Sequence, residues 1–293
     1  MVDSPGLLFK KAVASHAPLP IVGTINAYTA LLAEHAGHHA IYCSGAGVAN
    51  ASYGLPDLGV TTLDNVLCDV SRITSVSKLP LLVDIDTGFE NSAGQISHTI
   101  SSMISAGVAA VHIEDQISAK RCGHRPDKKI VPTKVMVSRL EQACAARDGS
   151  DLVIMARTDS LAVEGLSAAI DRSLAYIEAG ADMIFFEAAS SLEEYRSFTS
   201  KVTVPVLANS TEFGRTPLFT QQQLMDSGIA MVLYPLTAFR AMSSVACDIY
   251  RGILQDGSQQ SFVDRMQTRS ELYDHLGYYD LEQQQNIKSK GES

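Results

Sequence analysis

Residues 81–88 read LLVDIDTG: three apolar residues, two aspartates separated by an isoleucine, then threonine and glycine. A short, nearly continuous apolar run closed by polar residues suits a strand of a parallel sheet covered on both faces. Seven further runs repeat it, at 19–26, 40–45, 109–115, 152–158, 183–188, 204–210 and 230–235. Between them lie helix-length stretches with apolar residues at three- and four-residue steps, among them 92–106, 133–147 and 166–179. Gly37, Gly107 and Gly180, in AGHHA, AGVAA and AGADM, stand just ahead of a strand, where a left-handed helix end wants no Cβ. Eight β-then-α units with right-handed crossovers close most simply into a single (β/α)8 barrel of TIM type with a C-terminal helical extension. The rival is an open doubly wound sheet. Its usual G-x-G-x-x-G after the first strand is missing; the glycine pair in SGAGVANASYG follows the second strand and lacks the third glycine. Barrel and C-terminal helices are expected over 1–279 as one domain, with a helix to about 255 and a further segment at 261–279. The polar end at 280–293 reads as disordered.

The 293 residues are 46% hydrophobic and 19% charged, enough to bury a large core. No apolar run approaches the roughly 20 residues that span a bilayer, and the N-terminus lacks the ordered regions of a signal peptide. A cytoplasmic protein is expected, with no membrane partner. A net charge of −9 argues against a nucleic-acid surface, so an anionic ligand must find a local cationic pocket. Cys43, Cys68, Cys122, Cys144 and Cys247 are odd in number and widely spaced, which suits neither a disulfide framework nor a zinc site. All but Cys122 read as buried filler.

The apolar runs end in residues that a core would not choose: Asn26, Ser44, Asp84 with Asp86, Glu114 with Asp115, Arg157, Glu187 and Asn209. In a β/α barrel these ends converge on the C-terminal face, where active sites form. One such end could solvate a loop; a ring of them points to a site. Asp84 and Asp86 stand two apart and would share a face of a strand, where like charges repel unless a cation sits between them. Mg²⁺ suits such hard oxygen ligands, and Mn²⁺ fits them too; alternatively one Asp caps the next helix. KRCGH, residues 120–124, follows the fourth run. Lys120, Arg121, His124 and Arg125 make an electropositive setting in which the Cys122 thiol can ionise more easily. A basic surface turn with an incidental cysteine would look the same. Arg157, in MARTD, is placed to fork a carboxylate. Arg240 and Arg269 carry no comparable signal of their own.

SGAG (44–47), DIDTGF (84–89), HIEDQ (112–116), KRCGH (120–124), MARTD (155–159) and NSTEFG (209–214) together resemble the isocitrate lyase and phosphoenolpyruvate mutase superfamily. The likeness runs from SPG at 4–6 through YPLTAFRAM at 234–242 to Arg269, and KRCGH points within the superfamily to the branch that cleaves 2-methylisocitrate. The resemblance implies a carbon–carbon lyase: Mg²⁺-dependent retro-Claisen cleavage of a tricarboxylate to pyruvate and succinate, in propionate catabolism through the methylcitrate cycle. By the same resemblance Asp84 and Asp86 hold the metal, Glu114 assists through water, Tyr42 is the base, and Cys122 donates the quenching proton, with Lys120, His124 and Arg157 also catalytic. Substrate contacts carried over are Ser44, Gly45, Ala46, Asp57, Cys122, Gly123, Arg157, Glu187, Asn209, Ser210, Thr211, Arg240 and Arg269, with Phe185 and Leu233 shaping room for the substrate methyl. A homotetramer of dimers that exchange a C-terminal helix is likewise implied. The chain departs from the pattern at Ala46 and Glu90, where glycine is usual, and at Ser210, where an apolar residue is. Isocitrate cleavage, differing by one methyl, is the nearest alternative; a non-catalytic carboxylate-binding barrel is another.

Overall fold

The computed structural model describes residues 3–89, 94–118 and 128–291. The eight apolar runs form eight strands: β1 (Leu19–Gly23), β2 (Ile41–Cys43), β3 (Leu81–Asp84), β4 (Ala110–Glu114), β5 (Val153–Thr158), β6 (Met183–Phe186), β7 (Val206–Asn209) and β8 (Met231–Tyr234). All pair in parallel and in sequence order, and β1 pairs with β8, Leu19 opposite Met231, to close the barrel. Helices follow the strands as the periodicity predicts, including Gln95–Ser105, Thr133–Arg147 and Leu166–Glu178. Gly37, Gly107 and Gly180 all have positive φ. At Gly180 a Cβ would also stand 2.9 Å from the Cys144 sulfur, so the position is closed to side chains twice over.

Neighbouring residues of each strand divide between two cores. Ile41, Val83, Val111, Ile154, Ile184 and Val232 face the helices, whereas Leu82, Ala110, Met155, Phe185, Leu207 and Leu233 pack inside the barrel. This period-two division is what a strand covered on both faces requires. Phe9, from the helix Pro5–Ser15, is fully buried with the inner set and closes one end of it. Gly6 lets that helix approach, since a Cβ there would lie 2.0 Å from the Asp151 carbonyl oxygen. The same parity aims Asp84, His112, Glu114, Arg157 and Asn209 inward at the other end, with Asp84 opposite His112, Glu114 opposite Arg157, and Asn209 opposite Leu233.

The chain divides into two units, 1–237 and 238–293, where the sequence suggested one. The second unit comprises most of the helix Thr237–Asp256, then a 3-10 turn (Gln260–Arg265), Arg269–Leu276 and Tyr278–Gly291. Gly252 admits the Phe262 ring, which a Cβ would meet at 2.2 Å. The end expected to be disordered is helical over Tyr278–Gly291. Its Leu, Glu, Gln and Lys residues are good helix formers, and the rings of Tyr273, Tyr278 and Tyr279 pack on one another at its start. Leu254, Val263, Leu281 and Ile287 of this unit are exposed. No helix among the described residues is long and apolar enough to cross a membrane.

Candidate active site

β2 ends at Cys43, and Ser44 caps a one-turn helix, Gly45–Gly47, that continues into a π-helix, Val48–Ser52. The Gly45 N–H donates to Asp84 Oδ2 at 3.2 Å, and the Asp86 N–H donates to Asp84 Oδ1 at 2.9 Å. A Cβ on residue 45 would sit 3.0 Å from Asp84 Oδ2 and 3.2 Å from Asp86 Oδ1, so both carboxylates converge on this glycine. They do so by a different route from the one the spacing suggested. β3 stops at Asp84, and Asp86 is carried round by a left-handed backbone, φ 50°. Both side chains are buried. Two carboxylates with room for water and ligand oxygens are the donor set that Mg²⁺ commonly takes. Among the described residues no group of three or more His, Cys, Asp or Glu forms a metal cage.

Beneath them the Tyr42 hydroxyl lies 2.9 Å from His112 Nε2, and that nitrogen is 3.7 Å from Asp84 Oδ1. Burial, reinforced by the Asp84 charge, pushes the Tyr42 phenol well above its ordinary range, although a hydrogen bond with Ser44 acts the other way. Tyr42 is therefore a neutral phenol at neutral pH. His112, fully buried, was missed in the sequence. Counting two back along the strand from Glu114 would have turned it inward with the others.

Arg157 organises the adjoining part of the rim. Its Nε donates to Asp159 Oδ2 at 3.0 Å and lies 3.4 Å from Glu114 Oε2, and its Nη2 lies 3.5 Å from Glu187 Oε2. The guanidinium stands 5.1 Å over the Phe185 ring. Burial opposes its charge, but Asp159, Glu114, Glu187 and Asp84 outweigh it and hold the group well above its ordinary value. Asn209 Nδ2 donates to Glu187 Oε2 at 3.2 Å. Ser210 is buried, its N–H donating to the Leu233 carbonyl at 2.8 Å, while Ala46 and Thr211 are half-buried. Phe185 and Leu233 are both buried inside the barrel.

Two expected members of the ring belong elsewhere. Asn26 caps the helix Ala27–His35, its Oδ1 accepting from the Thr29 N–H at 2.9 Å. Asp115, next to inward-facing Glu114, accepts instead from Thr158 Oγ1, the Asp159 N–H and the Tyr176 hydroxyl at 2.8–2.9 Å. Asp159 and Lys128, which the sequence did not single out, form a buried ion pair at 2.7 Å. A cavity of about 470 Å³ opens beside Asp86 and Thr87, bounded also by Thr61, His98 and Ser118. Half-buried Asp57 lies two residues ahead of Gly59, which lines this cavity. Arg240 and Arg269 are exposed residues of the second unit. Lys120, Cys122, Gly123 and His124, like Glu90, lie outside the described residues. Of the other cysteines, Cys43 is buried and burial pushes its thiol up, Cys144 is half-buried, and Cys68 and Cys247 are exposed rather than filler.

Residues 9–254 match the family described as phosphoenolpyruvate phosphomutase. The chain belongs to the phosphoenolpyruvate phosphomutase family. Within that family it is 57% identical, over 282 residues covering 96% of this chain and 95% of the relative, to the 2-methylisocitrate lyase of Escherichia coli (strain K12). The solved structure of 2,3-dimethylmalate lyase, described as a PEP mutase/isocitrate lyase superfamily member, superposes with a TM-score of 0.89 at 29% identity, covering 99% of this chain and 96% of that one. A phosphonopyruvate hydrolase in complex with oxalate and Mg²⁺ superposes with a TM-score of 0.83 at 26% identity, covering 96% and 97%. The solved relatives share the barrel over nearly the whole chain.

Proposed function

We propose that this chain is a Mg²⁺-dependent carbon–carbon lyase that splits 2-methylisocitrate into pyruvate and succinate. The observation that carries the reading is the meeting of two buried carboxylates at Gly45 on the same barrel rim as buried Arg157 and its carboxylate partners, in a chain alike over nearly its whole length to a 2-methylisocitrate lyase. Asp84 and Asp86 would hold the metal, with Glu114 assisting through water, and the Mg²⁺ named with phosphonopyruvate hydrolase supports the choice of metal. Mn²⁺ would serve the same oxygens. When bound, the metal supplies Lewis-acid stabilisation of negative charge developing on substrate oxygens.

The chain's own residues then bind, orient and move protons. Arg157 forks a substrate carboxylate, Glu187 orients Arg157 and Asn209, and the 44–46 turn and residues 209–211 flank the ligand. Cleavage requires the substrate hydroxyl to lose a proton as its C–O bond becomes the pyruvate carbonyl. The electron pair of the broken C–C bond stays on the succinate half. A phenol as strongly raised as Tyr42 takes the hydroxyl proton only by passing its own to His112 Nε2, 2.9 Å away. The Cys122 thiol, in the electropositive setting of Lys120 and His124, gives a proton to the succinate carbanion and is restored by the one released. Asp57, Gly123, Arg240 and Arg269 complete the substrate contacts, and Phe185 and Leu233 set the methyl's space. A tetramer of helix-exchanging dimers would cover the exposed apolar residues of the second unit, and the proposed reaction would serve propionate breakdown in the cytoplasm.

Product release tests this directly: pyruvate from 2-methylisocitrate and glyoxylate from isocitrate, with Mg²⁺ or EDTA, in the wild type and Cys122→Ser. Pyruvate formation that needs metal and Cys122 and exceeds glyoxylate formation is expected. Dominant glyoxylate would reassign the substrate, and no cleavage of either would end the lyase reading.

A further inference from the structure

Lys128 Nζ is buried beside Asp159, 2.7 Å from Oδ1, and both residues lie under the protein surface. Asp159 is also the aspartate that receives the Arg157 guanidinium, through Oδ2 at 3.0 Å from Nε and Oδ1 at 3.4 Å from Nη2. One carboxylate therefore serves two cations, and its Oδ1 is common to both. The two cations also share a single backbone frame. Asp159 follows the end of β5 directly, its N–H donating to Asp115 Oδ1 at 2.9 Å. Lys128 stands at the start of a segment tied to the end of β4, where Gln116 bridges to Ile130 and the Ile117 N–H donates to the Lys129 carbonyl at 3.1 Å.

A lysine is a costly thing to bury, since its ammonium loses water that only a well-placed anion replaces. A surface pair would have served stability alone at less cost. What the buried one adds is a limit on Asp159. Asp159 already makes a two-pronged pair with Arg157, 3.0 Å on one arm and 3.4 Å on the other, and without Lys128 its undivided charge would draw that pair tight. Arg157 would then give up its Nε and Nη2 to a ligand less readily.

We propose that Lys128 is a positioning residue for the anion site: by neutralising Asp159 it keeps the Arg157 guanidinium available to a carboxylate ligand. Asp159 holds Arg157 more closely than Glu114 or Glu187 does, and Lys128, drawing on the same Oδ1, loosens the hold a ligand must compete with. Substitution at either end unbalances it in opposite senses. Lys128→Met lets Asp159 tighten on Arg157, and Asp159→Asn releases Arg157 to the ligand beside a Lys128 ammonium that no longer has its counter-charge. Replacing both removes the charge and its counter-charge together, a change buried ion pairs often tolerate.

The role rests on the lyase reading for the identity of the ligand, and a double-mutant cycle read in two ways separates the two. Lys128→Met, Asp159→Asn and the double variant are compared with the wild type in 2-methylisocitrate turnover and in succinate binding by calorimetry with Mg²⁺. Lys128→Met should raise KM and the succinate Kd about tenfold with kcat within about threefold, Asp159→Asn should lower the succinate Kd about fivefold, and the double should return to within about threefold of the wild type. A folded Lys128→Met that binds succinate as the wild type does, an Asp159→Asn that binds it more weakly, or a double no nearer the wild type than Lys128→Met overturns the role. So do singles that fail to fold beside a double that folds and binds normally, because the pair would then be structural only. A wild type that binds succinate but turns over nothing sinks the lyase reading and leaves the binding arm of the cycle to decide the role of Lys128. A wild type that does neither sinks both.

Discussion

The rim of the barrel has two parts built on opposite plans. At β2 and β3 the carboxylates of Asp84 and Asp86 gather around a glycine, held by backbone N–H groups and adjoining the Tyr42–His112 pair. From β4 to β6, Glu114, Glu187 and Asp159 each stand against Arg157, with Lys128 behind Asp159. On the proposed reading the first would seat a cation and the second an anion that must compete for its arginine. A metal-bound polycarboxylate offers both. The parts are one field as well as neighbours, since Asp84 contributes to the raised pKa of Arg157.

The comparison breaks most severely at the cation seat. Asp84→Asn should lower kcat/KM on the order of 10³-fold or more, because several kcal/mol of transition-state charge stabilisation go with the metal; steady-state kinetics across a Mg²⁺ series would show it. Arg157→Lys keeps the charge and loses the fork. About 10²-fold in kcat/KM is expected, mostly in KM, from one or two charged hydrogen bonds. Gly45→Ala should weaken Mg²⁺ about tenfold, because its Cβ would press Asp84 Oδ2 at 3.0 Å and Asp86 Oδ1 at 3.2 Å, and a metal titration reads it.

How far these parts could be read beforehand differs for a physical reason. All eight strands were legible because parallel strands buried on both faces become apolar runs, and Gly107 and Gly180 mark helix ends that only glycine fits comfortably. The charged rim was legible too, as far as Asp84, Glu114, Arg157 and Glu187. Parity beyond a strand's end was not. Asn26 and Asp115 look like rim residues in the sequence but cap a helix and hold Tyr176, and Asp86 reaches the rim through a left-handed turn that its spacing does not announce. Lys128 and Asp159 pair across 31 positions, and nothing local marks either one. The helix at 278–291 was hidden by a polar composition that suits a solvated helix as well as a disordered tail.

The smallest effect lies behind the rim. Burial, then the Asp159 charge, raises the pKa of Asp115, and the Tyr176 hydroxyl partly offsets this by donating to the carboxylate. Tyr176→Phe should cost about 1 kcal/mol of stability near neutral pH with kcat almost unchanged. The variant raises the folded-state pKa of Asp115 further, so the loss is present where Asp115 is ionised and shrinks as the pH falls and the carboxyl protonates. Thermal melts from pH 7 downward would follow it.

The most direct test of the two-seat rim is a pair of calorimetric titrations, Mg²⁺ and then succinate with Mg²⁺ saturating, on the wild type, Asp84→Asn and Arg157→Gln. Mg²⁺ binding should be lost in Asp84→Asn and kept within a few-fold in Arg157→Gln, while succinate binding falls at least about tenfold in Arg157→Gln. Mg²⁺ binding that survives Asp84→Asn, or succinate binding indifferent to Arg157, would contradict it.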